Sequence, residues 1–247
     1  MYSAERRHDI LRLIQANSRV SVDDLALRFG VSTSSIRRDL NELARLGLLQ
    51  RTYGGAIIPT ATSAETPFSV RVVSRHEEKE RIGKAAAGLV QPGDTIFVDG
   101  GTTTECMLPY LLQQTLERTS SLLRSERADG KDGQLTVVTY GLNIVQRLID
   151  QDGVTVIVIG GILHPATLTF GGVFATESFE AYNIRFDKAF MAATGISAEA
   201  GITNAGFEEI PIKRRAIRNA RETILLADST KIGIIAAGVV AATEHVH

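Results

Sequence analysis

The sequence predicts an α/β protein with a small helical domain at the N-terminus and a larger domain built on a mostly parallel sheet. Short amphipathic helices fill the first part of the chain, and strand-like apolar runs then alternate with segments long enough for crossover helices. A length of 247 residues with 44% hydrophobic content allows a core in each domain. We expect domains at residues 1–57 and 76–247, joined by a linker at 58–75 that contains Pro and small polar residues.

Charge divides the chain in the same way. Residues 1–57 hold nine Lys and Arg against six acidic residues, a net charge of +3, whereas the remainder has a net charge of −4. Such a basic segment tolerates a polyanion close by. Because the sequence has no apolar run of about 20 residues and no signal-peptide pattern, we expect a cytoplasmic protein that does not enter the membrane.

Cofactor and metal motifs are missing from the sequence. The five histidines have no ligand spacing except in the terminal "HVH", which we interpret as a chain end. The stretch "FVDGGTTTE" has neither the Gly-Lys-Ser/Thr of a nucleotide P-loop nor a GxGxxG spacing. The single cysteine, Cys106, fits a reducing compartment, and we expect it in the core rather than as a nucleophile. We therefore expect no cofactor and no metal.

Three helices and two short strands account for the first domain. Apolar positions recur at helical spacing in residues 4–16, and "SVDDLALRFG" begins at a cap on Ser21 and stops at Gly30. The third helix, "VSTSSIRRDLNELARLG", begins at Ser32 and stops at Gly47, and "LLQRTYGGAII" predicts a two-stranded wing. The short turn between the last two helices predicts a winged helix-turn-helix, whose second helix lies in the DNA major groove.

The third helix has a surface suited to nucleic acid. With Ile36, Leu40 and Leu43 turned inward, the other face offers hydroxyl, guanidinium and amide groups, which bond phosphates or base edges. The alternative is an ordinary amphipathic helix of a three-helix bundle, although such a helix usually carries more Glu and Lys. The residues that we expect at the DNA are Ser32, Thr33, Ser34, Ser35, Arg37, Arg38, Asn41 and, from the wing, Arg51.

The second domain is predicted to bind an anion at one edge of its sheet. The runs "TIFVDG", "LTVVT", "VTVIVIGG", "KAFMAAT" and "TILLAD" predict parallel strands, and ligands of such sheets bind beyond the carboxyl ends of the strands. In "GGTTTE", the glycines let backbone amides approach an anion and the threonine hydroxyls add donors. Polar or glycine-rich residues follow each of these strands, and each such group taken alone is equally consistent with an ordinary strand-to-helix turn.

The sequence resembles the DeoR family of bacterial transcription regulators. The resemblance lies in "ERRHDILRLIQANSRVSVDDLALRFGVSTSSIRRDLNELARLGLLQRTYGGA" and, in the second domain, in "EKERIGKAAAGLVQPGDTIFVDGGTTT", "GITNAGFEEIPIKRRAI" and "LLADSTKIG". It implies a Rossmann-like α/β sensor domain similar to ribose-5-phosphate isomerase. Departures are Tyr53 for His, Ser35 for Thr, Tyr140 for Asn, and a longer segment at 113–134. The resemblance also implies a last strand and helix near where the chain stops.

The resemblance assigns residues to a sensor cleft. It implies that Gly101, Thr102 and Thr103 hold a phosphate group. Because that loop carries no cation, we expect Lys213 and Lys231 to supply one, with Arg214 or Arg215 as the alternative. The full set of expected effector residues is Asp99, Gly100, Gly101, Thr102, Thr103, Thr104, Tyr140, Gly160, Gly161, Glu209, Lys213, Asp228 and Lys231.

Three functions stay open on the sequence alone. A sugar-phosphate isomerase would need a carboxylate base and a cation, for which Glu208 or Glu209, Asp228 and Lys213 are candidates, although Glu209 and Lys213 would equally form an i,i+4 ion pair. A DNA-binding architectural protein needs no ligand. A DNA-binding head on a sensor favours the third function: a non-enzymatic regulator, acting as a dimer or tetramer. Such a protein would repress a sugar or polyol catabolic operon until a phosphorylated sugar relieves it.

Overall fold

The protein forms two compact units, residues 1–74 and 75–247. The computed structural model describes the chain at residues 3–17, 19–45, 49–57, 66–122 and 134–246. The expected end of the third helix at Gly47 therefore lies outside the described residues, as does most of the expected linker. The part of that linker which is described contains a helix, Phe68–Val73, with Val70 buried against its neighbours.

The N-terminal unit has the predicted three helices, and its short wing follows them. Ser21 accepts a hydrogen bond from the amide of Asp24 at 3.0 Å, and Gly30 ends the next helix at a φ of 63°, so both predicted caps are confirmed. Its described elements are α1 Ser3–Asn17, β1 Arg19–Ser21, α2 Val22–Phe29, α3 Thr33–Arg45, β2 Gln50–Thr52, β3 Gly55–Ile57 and α4 Phe68–Val73.

The wing contains a third strand that the sequence analysis did not predict. β1 pairs antiparallel with β3, which in turn pairs with β2. A Cβ on Gly55 would lie 2.1 Å from the carbonyl oxygen of Val20, so only glycine lets these two strands approach each other. Three residues are too few for an alternating pattern, which is why β1 gives no clear signal in the sequence.

The second unit contains all five predicted strands in one parallel sheet of order β12-β9-β4-β5-β6. The order reverses between β4 and β9, and such a switch point opens a crevice at the carboxyl ends of the strands. The described elements are α5 His76–Ala87, β4 Thr95–Val98, α6 Thr102–Glu105, α7 Leu108–Leu122, β5 Leu135–Thr139, α8 Leu142–Leu148, β6 Val154–Val158, β7 Ile162–His164, β8 Thr169–Gly171, α9 Gly172–Tyr182, β9 Phe186–Met191, β10 Gly195–Ser197, β11 Gly201–Asn204, α10 Ile210–Asn219, β12 Ala220–Leu225 and β13 Gly238–Ala241.

Both faces of the parallel sheet are buried at its central strand, β4. Along β4, Ile96 and Val98 belong to one hydrophobic cluster and Phe97 belongs to the other. Phe97 packs against the rings of Tyr140 and Phe179, each at a centroid distance of 6.0 Å. Covered faces explain why these strands read as continuous apolar runs rather than as alternating ones.

Short antiparallel strands complete the second unit. β10, β11 and β13 form one sheet, and β7 and β8 form a hairpin, neither of which the sequence analysis predicted. The segment at 113–134 was expected to be longer than its counterpart in the DeoR-like pattern. Helix α7 extends into it as far as Leu122, and residues 123–133 lie outside the described part of the chain.

Candidate functional site

Helix α3 presents its predicted polar face to solvent. Arg37 and Arg38 are exposed, and among the described residues their guanidinium groups have no hydrogen-bond or ion-pair partner. These two cations are therefore available to phosphates or base edges. Ser34 and Asn41 are also exposed, and Thr33 and Ser35 are half-buried.

The hydroxyl of Ser32 begins helix α3. It accepts a hydrogen bond from the backbone amide of Ser35 at 3.3 Å and lies 2.8 Å from the hydroxyl of Ser34. Ser32 thus has the capping role that the sequence predicts. This role occupies the side chain at the point where a recognition helix would enter the groove.

Arg51 joins the wing to helix α3. Its Nε donates to Oδ1 of Asn41 at 3.0 Å, and its Nη1 donates to the carbonyl of Gly55. Two of the expected DNA contacts therefore bond each other, an arrangement that helical periodicity could not reveal. Tyr53, at the tip of the wing, is fully exposed.

A buried ion pair holds helix α1 to helix α3. Nε of Arg6 donates to Oδ2 of Asp39 at 2.7 Å, and both side chains are almost fully buried. In "IRRDLNEL", Asp39 reads as one more surface charge, so the sequence analysis missed this pair. The link fixes the helix that carries Arg37 and Arg38.

In the second unit, the loop after β4 leads into helix α6 at the switch point of the sheet. Thr102 and Thr103 are mostly buried, yet within the described residues their hydroxyls have no hydrogen-bond partner. Thr104 differs, because its hydroxyl donates to the carbonyls of Asp99 at 2.6 Å and Gly101 at 2.8 Å. Thr104 shapes the loop, whereas Thr102 and Thr103 leave two donors for a ligand.

Two glycines let the loops after β4 and β5 touch. A Cβ on Gly100 would lie 2.6 Å from Cγ2 of Thr169, and one on Gly141 would lie 2.6 Å from Cα of Gly100. A Cβ on Gly101 would likewise meet Cβ of Ala192 at 2.6 Å. These glycines are required by close approach of the backbone and not by an unusual φ.

The carboxylate of Asp99 links the loop after β4 to neighbouring elements. It accepts hydrogen bonds from the hydroxyl of Tyr140, from the amide of Ala192 at 2.8 Å and from Nζ of Lys213 at 2.8 Å. Asp99 and Lys213 are only 1% and 2% exposed. Lys213, expected to supply a cation to the phosphate, is thus the counterion of Asp99, and Tyr140 is a core residue.

Glu209 belongs to the same buried network. Its two oxygens accept from the hydroxyl of Thr169 and from Nδ2 of Asn204, each at 2.9 Å, and Nζ of Lys213 lies 3.8 Å away. The expected i,i+4 pairing with Lys213 is therefore present, in the interior rather than on the surface. Thr169 and Asn204 are members of the site that the sequence analysis missed, since only the fold brings them to Glu209.

Asp228 and Lys231 lie in the turn that follows β12. The Asp228 carboxylate accepts hydrogen bonds from the amide of Thr230, at 2.9 Å, and from its hydroxyl. Burial raises the pKa of Asp228, but these hydrogen bonds and the charges of Lys231 and Lys79 outweigh burial and hold the pKa below its usual value. Asp228 is therefore ionised at neutral pH.

Lys79 is a buried cation that the sequence analysis missed. It is 4% exposed on helix α5, and its charge acts on both Asp228 and the thiol of Cys106. Lys79 shares the inward face of its helix with Gly83 and Ala86, both buried. The signal in the sequence is a lysine on a helix face that otherwise consists of small and apolar residues, which indicates that the lysine is buried.

Two of the expected glycines lie apart from this network. Gly160 is exposed and has no neighbour within 4 Å of a Cβ placed on it. A Cβ on Gly161 would meet the carbonyl of Gly171 at 2.5 Å and Cβ of Ala175 at 2.8 Å. The turn after β6 therefore packs against β8 and α9 rather than against the loop that follows β4.

Two buried polar atoms near the carboxyl ends of the strands lack a partner among the described residues: Oδ1 of Asn143 and Nε2 of His164. The first lies 2.8 Å from a Cβ placed on Gly141, and the second lies 3.2 Å from a Cβ placed on Gly171. An unsatisfied buried polar atom costs about 1–3 kcal/mol, so a partner that completes these bonds would be stabilising.

Cys106 ends helix α6 and is buried. Burial, with the nearby Glu80 carboxylate, raises the pKa of the thiol to about 11. The thiol is therefore protonated at neutral pH, which agrees with the expected core residue and not with a nucleophile.

Family models cover both units of the chain. Residues 6–62 match the DeoR-like helix-turn-helix domain, and residues 74–119 and 119–247 match the DeoR C terminal sensor domain. The chain belongs to the DeoR family. It is accordingly a DNA-binding transcriptional regulator with an N-terminal winged helix-turn-helix domain and a C-terminal α/β sensor domain, as the sequence predicts.

Relatives match this DeoR-family chain over nearly its whole length. The HTH-type transcriptional regulator GolR of Listeria innocua is 30% identical over 100% of this chain and 89% of its own. The glycerol-3-phosphate regulon repressor of Escherichia coli K12 is 31% identical over 94% of this chain and 84% of its own. IolR, an HTH-type transcriptional regulator of Bacillus subtilis, is also 31% identical, over 92% and 82%.

Solved structures resemble this DeoR-family chain more distantly. Ribose 5-phosphate isomerase A of Methanocaldococcus jannaschii covers 64% of this chain and 55% of its own, with 15% identity and a TM-score of 0.44. The sorbitol operon regulator SorC of Klebsiella pneumoniae covers 88% of each chain, with 13% identity and a TM-score of 0.35. Across the described residues, no helix has the length and apolar content needed to span a membrane.

Proposed function

We propose that this regulator represses a sugar or polyol catabolic operon in the cytoplasm and releases its operator when a phosphorylated sugar or polyol binds the second unit. The name of a relative from Escherichia coli, the glycerol-3-phosphate regulon repressor, supports a phosphorylated small molecule as the signal. A ligand that binds the DNA-free arrangement more tightly by about 1–3 kcal/mol is enough for such control.

One observation carries the proposal: the loop at the switch point offers hydroxyl donors that no other group in the described part of the chain uses. Thr102 and Thr103 lie at the start of α6, and within the described residues their hydroxyls have no hydrogen-bond partner. Lysine suits a phosphate as a compact point charge. Since Lys213 neutralises Asp99, we assign that charge to Lys79, beside α6, with Lys231 as the second candidate.

We assign the hydroxyls of the effector to polar groups of Asp228, Asn143 and His164. Asp228 is ionised and accepts hydrogen bonds, and Oδ1 of Asn143 and Nε2 of His164 are buried atoms without partners in the described chain. A sugar or polyol supplies several hydroxyl groups at once. Completing these bonds would favour the phosphorylated polyol over inorganic phosphate.

The enzymatic alternative is less well supported. An isomerase needs a carboxylate that is ready to take a proton from its substrate. Glu209 instead accepts from Thr169 and Asn204 and lies near the ammonium of Lys213, and Asp228 accepts two bonds from Thr230. These carboxylates are held as fixed acceptors, which suits binding better than proton transfer, so we propose a sensor without catalytic activity.

Thr102→Val tests the phosphate site. Because the Thr102 hydroxyl has no partner within the described residues, we expect the melting temperature of the ligand-free protein to stay unchanged. Effector affinity should fall by about 10- to 100-fold, since a hydrogen bond to a charged group contributes about 1.5–3 kcal/mol. Isothermal titration calorimetry with a panel of sugar and polyol phosphates measures this change.

Two controls accompany that titration. Thr155→Val makes the same change on the exposed edge strand β6 and should bind like the wild type. The unphosphorylated parent sugars should bind at least 100-fold more weakly than their phosphates. Equal binding of a sugar and its phosphate would show that the loop is only a turn.

We also propose that the protein acts as a dimer or tetramer through an apolar patch of the second unit. Ile162, Val173 and Phe174 are 57%, 66% and 72% exposed, and Ile162 approaches the glycine that precedes Val173. Phe174→Glu should convert the oligomer to monomer in sedimentation-velocity experiments and weaken operator binding. Tyr182→Glu, at the other end of α9, is the matched control; an unchanged Phe174→Glu oligomer would exclude this patch.

A further inference from the structure

Three side chains with metal-binding atoms meet at the side of helix α5, and none of the three is among the groups assigned to the effector. His76 and Glu80 lie one turn apart on α5, and Cys106 ends α6, which packs against it. Each offers one donor atom, and the three atoms lie within 4.8 Å of one another. Sequence spacing could not reveal this cluster, because the cysteine comes from a different helix.

We infer that His76, Glu80 and Cys106 form a binding site for a transition metal ion of the Zn²⁺ class. One nitrogen, one carboxylate oxygen and one sulfur are the donor types that Zn²⁺ takes in proteins. Ordinary Zn–ligand bonds of about 2.0–2.3 Å place tetrahedral ligand atoms roughly 3.3–3.8 Å apart. Nε2 of His76 already lies 3.9 Å from Oε1 of Glu80, so a shift of about 1 Å or less closes the set.

The surroundings of Glu80 support this inference. The hydroxyl of Tyr110 donates to Oε2 of Glu80 at 2.8 Å and leaves Oε1, the oxygen nearer His76, for the ion. Such an outer hydrogen bond orients a ligating carboxylate and increases metal affinity. The exposed side chain of His76 can change its rotamer to reach the ion, whereas Cys106 is buried and stays in place.

Three ligands leave a fourth coordination position open. The exposed side chain of His76 gives water or a small ligand access to that position. Cys106 would bind as the thiolate, so its proton passes to solvent when the metal enters. The ion would then join the first turn of α5 to the end of α6, the helix that begins at the threonine loop.

Cobalt(II) added to the metal-free, full-length protein tests the inference, because Co²⁺ replaces Zn²⁺ and absorbs visibly. We expect one Co²⁺ per chain, with the near-ultraviolet charge-transfer band of a thiolate ligand, and displacement of Co²⁺ by added Zn²⁺. Cobalt held only by the histidines at the chain end would give no thiolate band. A titration without that band would overturn the inference.

Variants separate a metal site from a simple thiol–carboxylate contact. Cys106→Ser should remove the thiolate band, and His76→Ala, an exposed change that does not threaten folding, should weaken Co²⁺ binding at least 10-fold. Tyr110→Phe should weaken it about 10-fold through the outer hydrogen bond. Glu77→Ala, an exposed acidic residue of the same helix, should have no effect. Equal Co²⁺ affinity of His76→Ala and wild type would contradict the inference.

Discussion

Replacement of Arg38 by alanine is expected to reduce operator affinity by about 10- to 100-fold without unfolding the protein. The side chain is exposed on α3 and has no partner among the described residues, so its removal costs nothing in the DNA-free state. A bidentate base contact contributes about 1–3 kcal/mol to discrimination, and loss of a phosphate contact lowers the salt slope by about one unit. Gel-shift titrations at several fixed salt concentrations separate these two roles.

Arg45→Ala provides the matched control on the same helix. Arg45 is exposed but forms a surface ion pair with Glu42 at 2.7 Å, and such pairs contribute little to stability. Operator affinity should change less than threefold in this variant. If Arg45→Ala and Arg38→Ala weaken binding equally, general positive charge rather than a specific face of α3 holds the DNA.

Replacement of Lys213 by alanine is expected to destabilise the second unit by about 3–5 kcal/mol, because it leaves the buried Asp99 carboxylate without its counterion. For a unit of this size, that loss lowers the melting temperature by roughly 6–20 °C. Urea unfolding followed by circular dichroism measures the change. Lys231→Ala, which removes a partly exposed lysine, should shift stability by no more than about 0.5 kcal/mol.

A double variant distinguishes the lost charge from lost packing. Asp99→Asn combined with Lys213→Met removes both buried charges and keeps most of their volume, so it should recover most of the stability lost in Lys213→Ala. Failure of the double variant to recover stability would mean that the hydrogen bonds to Tyr140 and Ala192 matter more than the ion pair.

The sequence predicts the fold well because its strongest patterns are local. Caps at Ser21 and Gly30 mark helix ends within a few residues of chain, and apolar runs such as "LTVVT" mark buried strands. Short elements escaped prediction for the same reason. Strand β1 and the β10-β11-β13 sheet consist of three- or four-residue segments, whose pairing depends on distant parts of the chain.

The contacts among the candidate site residues could not be predicted from the sequence. The glycines and threonines of the loop after β4 are consecutive, whereas the pairing of Asp99 with Lys213 joins residues 114 positions apart. Lys79 was overlooked because its neighbours "EEKER" read as a solvated helix face. A single sequence shows which residue types lie at the end of each strand. Which charged side chains pair with each other depends on how the fold brings distant segments together.

The carboxylate of Asp99, at the end of β4, is bonded to residues of three other elements in the ligand-free protein, since its partners come from the ends of β5 and β9 and from α10. A loop anchored in this way is preorganised, so little conformational entropy would be lost if, as we propose, a phosphate binds there. Differences in affinity among phosphorylated sugars should then arise from the remainder of each molecule, and the phosphate should contribute a nearly constant term. We therefore expect evolution of new effector specificity in this protein to proceed by changes around Asp228 and His164, with the loop left intact.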